Sequence, residues 1–135
     1  MHEKQAAALD NTRRPLVFLL KYGLPLLVLI SSQWWSPYLG GNTLMIALVW
    51  SVGLAVMGLA CVVNARRCGR VHCHFTGPYM LAFAIAFLIY GSGIYQPAWL
   101  SLTQLANLSL WGTGLLWLVT ELFFGKYFAA NKHEG

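Results

Sequence analysis

KYGLPLLVLISSQWWSPYLGGNTLMIALVWSVGLAVMGLACVVNAR, residues 21–66, carries no Asp, Glu, Lys or Arg between Lys21 and Arg66, a gap of 44 residues. A second gap, between Arg70 and Glu121, covers 50 residues. One bilayer crossing takes about 20 apolar residues, so each run holds two crossings and a turn. Turn residues divide both. The first breaks at Ser31-Ser32-Gln33-Trp34-Trp35-Ser36-Pro37-Tyr38-Leu39-Gly40-Gly41-Asn42 and the second at Gly91-Ser92-Gly93-Ile94-Tyr95-Gln96-Pro97. The expected fold class is an all-α integral membrane protein of four transmembrane helices in two hairpins, at about 15–30, 43–63, 78–95 and 99–124. A cytoplasmic loop at 64–77 joins the hairpins, and the tails are 1–14 and 125–135.

Composition agrees. The 135 residues are 58% hydrophobic and 10% charged, where a soluble domain carries about a quarter charged residues. A globule of this size cannot hide so much apolar surface. A soluble enzyme, a nucleic-acid-binding domain and a disordered tail are excluded as the main reading.

Charge placement sets the expected orientation. Lys4, Arg13, Arg14 and Lys21 lie near the start of the first helix, and Arg66, Arg67 and Arg70 lie between the second and third. Lys126 and Lys132 follow the fourth, which completes the nine basic residues. With four crossings these regions share one face, and basic loops stay in the cytoplasm. Both termini are expected to be cytoplasmic (N-in/C-in), in the bacterial inner membrane. Trp34, Trp35, Tyr38, Tyr95 and Trp99 mark the outer boundary, and Tyr22, Tyr79 and Tyr127 the inner one. The net charge of +5 then serves topology and attraction to anionic lipid. Thr12-Arg13-Arg14-Pro15-Leu16 superficially resembles a twin-arginine signal. No small-x-small cleavage site follows, so a retained helix is expected, kinked at Pro25, with a cleaved signal as the lesser alternative.

On the second helix Ala47, Ser51, Ala55, Gly58 and Cys61 share one face, which small residues suit to close helix packing. Gly112 and Gly114 suggest the same on the fourth. Glu121 is the lone acid in a hydrophobic helix, with Lys21 or an arginine of the loop as its expected ion-pair partner.

The loop Asn64-Ala65-Arg66-Arg67-Cys68-Gly69-Arg70-Val71-His72-Cys73-His74-Phe75-Thr76-Gly77-Pro78 concentrates the chemistry. Thiolate and imidazole together select soft ions such as Cu(I), Zn(II) and Hg(II). Neighbouring arginines favour the thiolate that binds them. Cys68, Cys73, His72 and His74 are the expected metal ligands, with Cys61 as a relay. The spacing matches neither a zinc finger nor a haem-attachment motif. The alternative uses Arg66, Arg67 and Arg70 as an anion or lipid site. Thr76 would then cap the third helix, with Pro78 in its first turn.

The stretch from Asn64 to Pro78 resembles a signature of small bacterial multi-helix membrane proteins and covers about 15 of 135 positions. That resemblance implies no particular activity. In general style the chain is similar to the mercuric transport membrane proteins: few helices, no large soluble domain, cysteines near the membrane. It lacks their adjacent Cys-Cys pair in the first helix, and no functional residue is carried over. No Ser-His-Asp set, paired carboxylates, Walker loop or dinucleotide fingerprint is present, so a non-enzyme is expected. The leading expectation is binding or transport of a soft metal ion. The alternatives are a lipid- or anion-binding scaffold and an accessory subunit of a larger membrane complex. The bilayer and its anionic lipids are expected partners, with homo-oligomers possible and nucleic acid excluded.

Overall fold

The computed structural model describes Ala8, Asp10, residues 13–35, Tyr38 and residues 41–125, with Trp35 as backbone alone. Lys4, Pro37, Gly40, Lys126, Tyr127, Lys132 and most of both tails, to which the sequence assigns roles, lie outside the described residues. Among the described residues the chain is all-helical. The first helix, α1, has three consecutive parts: Pro15–Phe18, a π-helical turn Leu19–Gly23, and Leu24–Trp35. Then come α2 (Thr43–Cys68), α3 (Val71–Gly91) and α4 (Leu102–Phe124). Three stretches, Pro15–Trp34, Thr43–Cys68 and Val71–Gly91, are long and apolar enough to cross a membrane. The fourth helix has 23 residues and is more polar, carrying Gln104, Asn107, Thr113 and Glu121.

Local chemistry explains the ends. Asn42 accepts from the backbone N–H groups of Leu44 and Met45 at 3.2 and 3.3 Å and so caps α2. Ser101 and Gln104 form a capping box that starts α4. The π-helical turn lies just before Pro25, which has no N–H for the carbonyl four residues back and whose ring crowds that carbonyl. A widened turn relieves both problems. The kink expected at Pro25 therefore takes this form.

The expected loop 64–77 is corrected to a two-residue turn. α2 continues past Val63 to Cys68, and α3 begins at Val71, well before Pro78. Gly69 makes the turn possible at φ +67°, its N–H reaching the carbonyl of Ala65 at 2.9 Å. Arg70 is extended and precedes α3. Thr76 is not a cap, since its hydroxyl donates to the carbonyl of His72 one turn back, at 2.9 Å. Pro78 is inside α3. The remaining boundaries shift less: α1 reaches Trp35, α3 stops at Gly91, and α4 starts at Leu102.

Successive helices pack side by side, with the most extensive contact between α2 and α3. The small-residue face of α2 does point inward: Ala47, Ser51, Gly58 and Cys61 are buried and Ala55 is half-buried. A β-carbon on Gly58 would meet the carbonyl oxygen of Gly77 at 3.0 Å, and one on Gly91 would run into Ala47. Trp50 stacks on Phe87 at 5.2 Å within a core that includes Leu29, Leu54, Met80 and Leu105. Gly112 makes room for Tyr79, whose hydroxyl donates to the carbonyl of Leu108 at 2.9 Å. Outside, Leu20, Leu27, Val52, Leu59, Ile85, Leu118 and Leu122 are exposed. Apolar side chains dominate the outer face, as a lipid solvent favours; of the charged ones Asp10 is buried, Arg70 and Glu121 are half-buried, and Arg13, Arg14, Lys21, Arg66 and Arg67 are exposed.

Gly77→Ala tests the helix contact. The new β-carbon would stand 2.8 Å from Cγ2 of Val62 and 3.2 Å from its backbone nitrogen, and neither atom can swing away. We expect a loss of about 1–3 kcal/mol in denaturant unfolding of the detergent-solubilised protein. Gly114→Ala, with no atom within 4 Å of the added carbon, should unfold like the parent.

Candidate functional site

The turn between α2 and α3 leaves Arg70 without a helix to carry its side chain outward, and it folds back into the bundle. Its Nη1 meets Oδ2 of Asp10 at 2.5 Å, while its Nη2 and Nε meet Oε1 of Glu121 at 3.1 and 3.2 Å. Asp10 precedes α1 and Glu121 is on the last turn of α4, so one guanidinium ties the chain's beginning to its end. Side-chain exposure is 15% for Arg70, 0% for Asp10 and 18% for Glu121. Burial disfavours the charge on Arg70, but the Asp10 and Glu121 carboxylates outweigh it and hold its pKa above the ordinary guanidinium value. Asn64 donates from Nδ2 to the other oxygen of Asp10 at 3.0 Å.

His72 completes the network. Its Nδ1 lies 2.7 Å from Oε1 of Glu121 and 3.3 Å from Nε of Arg70. A contact that short to a carboxylate places a proton on Nδ1, which donates to Glu121. Arg70 then directs its Nε proton to Glu121. The expected Lys21–Glu121 pair is replaced by Arg70 and His72. Lys21 is exposed on the π-helical turn, with its neighbour Tyr22 turned inward. The forked guanidinium serves two carboxylates at once, which an ammonium on a flexible stem does less well.

The cysteines divide. Cys61 follows Gly58 by three residues, and Cys73 precedes Gly77 by four. In antiparallel helices both steps move one turn toward the connection, so the close Gly58–Gly77 approach brings the two thiols side by side. Both are buried, clustered with Tyr22 and Ala65. Thr76 Oγ1 donates weakly to Cys61 Sγ at 3.8 Å, and Asn64 Nδ2 to Cys73 Sγ at 3.7 Å. Cys68 instead donates to the carbonyl of Asn64, at 3.0 Å on its own helix. His74 faces outward, as do Arg66 and Arg67. The loop that was to gather Cys68, Cys73, His72 and His74 is thus helical, and helical spacing points them in different directions. Among the described residues no group of three or more His, Cys, Asp or Glu side chains could hold a metal ion.

Beside the network lies a cavity of about 300 Å³. Phe18 and Tyr22 of α1 face Gly114 and Trp117 of α4 across it, and Cys61, His72 and Thr76 form its back wall. Tyr22 Oη is buried there beside the Cys61 thiol and makes no well-formed hydrogen bond. The sequence reading missed Asp10, Asn64 and Tyr22 as members of this site. Asp10 had one visible signal, an acid three residues before the Arg13-Arg14 pair that opens an apolar helix. Neither a protein-family model, nor a curated protein, nor a solved structure matches the chain.

Arg70→Gln should leave two carboxylates facing each other with no cation. We expect a cost of about 3–5 kcal/mol in denaturant unfolding, the range for breaking a buried pair from one side. Limited proteolysis should also cut sooner before α1, since Asp10 loses its anchor. Arg67→Gln, on the outer face, should stay within about 0.5 kcal/mol of the parent.

Proposed function

We propose that this chain is a bacterial inner-membrane protein with four crossings and both termini in the cytoplasm, and that Cys61 and Cys73 bind a soft metal ion. The observation that carries this reading is the pair of adjacent buried thiols from neighbouring helices. Soft d¹⁰ ions such as Cu(I) and Hg(II) accept two thiolates as a full donor set, and thiolates select such ions. Zn(II) takes four ligands and finds no such set here, so it is the least favoured of the three. Two thiolates cancel the charge of a divalent ion, which lowers the cost of holding it among apolar helices. Binding is the step that the geometry supports; transport would add movement of the ion past the Arg70 network. Exposed Arg66 and Arg67 favour a second role, attachment to anionic headgroups at the cytoplasmic surface.

Titration of the reduced protein in detergent with Cu(I), buffered by a competing chelator, checks this reading. One ion per chain is expected. Cys61→Ser and Cys73→Ser should each lose nearly all binding, with little further loss in the double variant, as residues of a shared site do. Cys68→Ser should bind normally. Stoichiometric binding by the double variant, or none by the parent, overturns the thiol site. Reporter fusions at the two ends should report the same side of the membrane.

A further inference from the structure

Two observations about the cavity between α1 and α4 are unexplained by metal binding. The first is Tyr22 Oη, the single buried side-chain nitrogen or oxygen among the described residues with no well-formed hydrogen bond; its polar neighbour is the weakly accepting thiol of Cys61. The side chain is 9% exposed. A buried hydroxyl left unpaired costs about 1–3 kcal/mol, so its place at a cavity wall needs a reason. The second is Gly114. Glycine in a membrane helix ordinarily marks close helix approach, as Gly58 and Gly77 do here. A β-carbon on Gly114 would meet nothing within 4 Å. The missing side chain opens space instead, and that space is part of the same cavity.

The remaining walls define what fits. Phe18, Trp117 and Met80 offer aromatic and thioether surface. His72 gives its Nδ1 to Glu121, on the side of the network. The cavity is therefore apolar with a few convergent polar groups, the usual make-up of a small-molecule site. Its volume of about 300 Å³ sits at the low end for such sites. A hydroxyl donor at the edge of an otherwise apolar and aromatic space suits a flat ring carrying a carbonyl oxygen. The flanking helices expose Leu19, Leu20 and Leu118, so a ligand dissolved in the bilayer reaches the cavity without crossing a polar layer.

We infer that the cavity binds the ring of a quinone-class lipid, with Tyr22 Oη donating to a ring carbonyl and Gly114 leaving the space that the ring fills. This binding site borders the thiol pair through Cys61 but does not use its sulfur, and no electron transfer is assigned to it.

The probe is a benzoquinone with every ring position substituted and a ten-carbon tail, which thiols do not add to. It is titrated into the full-length protein in detergent, with bound quinone measured after equilibrium dialysis. Saturable binding of one quinone per chain is expected. Tyr22→Phe should weaken it about tenfold, the loss of one hydrogen bond to a buried partner. Gly114→Leu should abolish it while the unfolding midpoint stays at the parent value, which separates a filled cavity from a misfolded chain. Cys73→Ser, which removes the thiol pair without touching the cavity wall, should bind quinone normally, so failure of the metal reading leaves this result unchanged. Parent-like binding in both Tyr22→Phe and Gly114→Leu overturns the assignment. So does absence of saturable binding in the parent, or equal affinity for decane, which would make the cavity an acyl-chain slot.

Discussion

One guanidinium held between two carboxylates inside an apolar bundle is the constraint around which this structure is arranged. A charge in such surroundings persists only when paired and hydrogen-bonded. Arg70 meets Asp10 and Glu121, Asn64 takes the remaining oxygen of Asp10, and His72 adds a proton for Glu121. Each partner comes from a different part of the chain, so satisfying Arg70 requires the N-terminal segment, α2, α3 and α4 to converge at one end. The two-residue turn serves this convergence. Gly69 reverses the chain quickly enough for Arg70 to point inward, whereas the exposed Arg66 and Arg67 still lie on the helix.

The other organising feature is how closely α2 and α3 approach. Lipid gives helices no hydrophobic reason to associate, so association rests on packing and on a few polar contacts. Gly58 and Gly77 let backbone meet backbone, and the thiols of Cys61 and Cys73 become neighbours one turn away. α1 and α4 pack more loosely and leave a cavity between them. The π-helical turn before Pro25 sets Tyr22 into it, and such turns recur at functional sites. Tight packing on one side and an open volume on the other let one small bundle hold both a thiol pair and a ligand-sized space.

The outlines of this fold were legible in the residues. Runs of 44 and 50 residues without charge cannot belong to a soluble domain of this size, and the helices at 43 and beyond Gly91 start or stop close to their turn residues. The periodic small residues of α2 marked its buried face, because helical period depends on the chain alone. An arginine of the connecting segment was also among the expected partners of Glu121. The segment from 64 to 77 misled, because Thr76 and Pro78 are good signals for a helix start. Thr76 bonds back to His72 instead, and Pro78 is tolerated inside a helix that neighbours hold in place.

Sequence by itself determined that the chain is helical, apolar and charged at a few points, because composition and period are properties of single segments. Tertiary structure alone decided which charges meet and which thiols are neighbours. Asp10 and Arg70 are 60 residues apart, and Arg70 and Glu121 are 51 apart. Nothing local to any of them specifies the others. The same holds for Cys61 and Cys73, chosen over the closer-spaced Cys68 and Cys73, because a helix continued to Cys68 turns that thiol back on its own backbone. Partners of this kind depend on the distance between helix axes and on which side of a turn each residue falls. Those are properties of packing, and packing is settled only when every segment is in place.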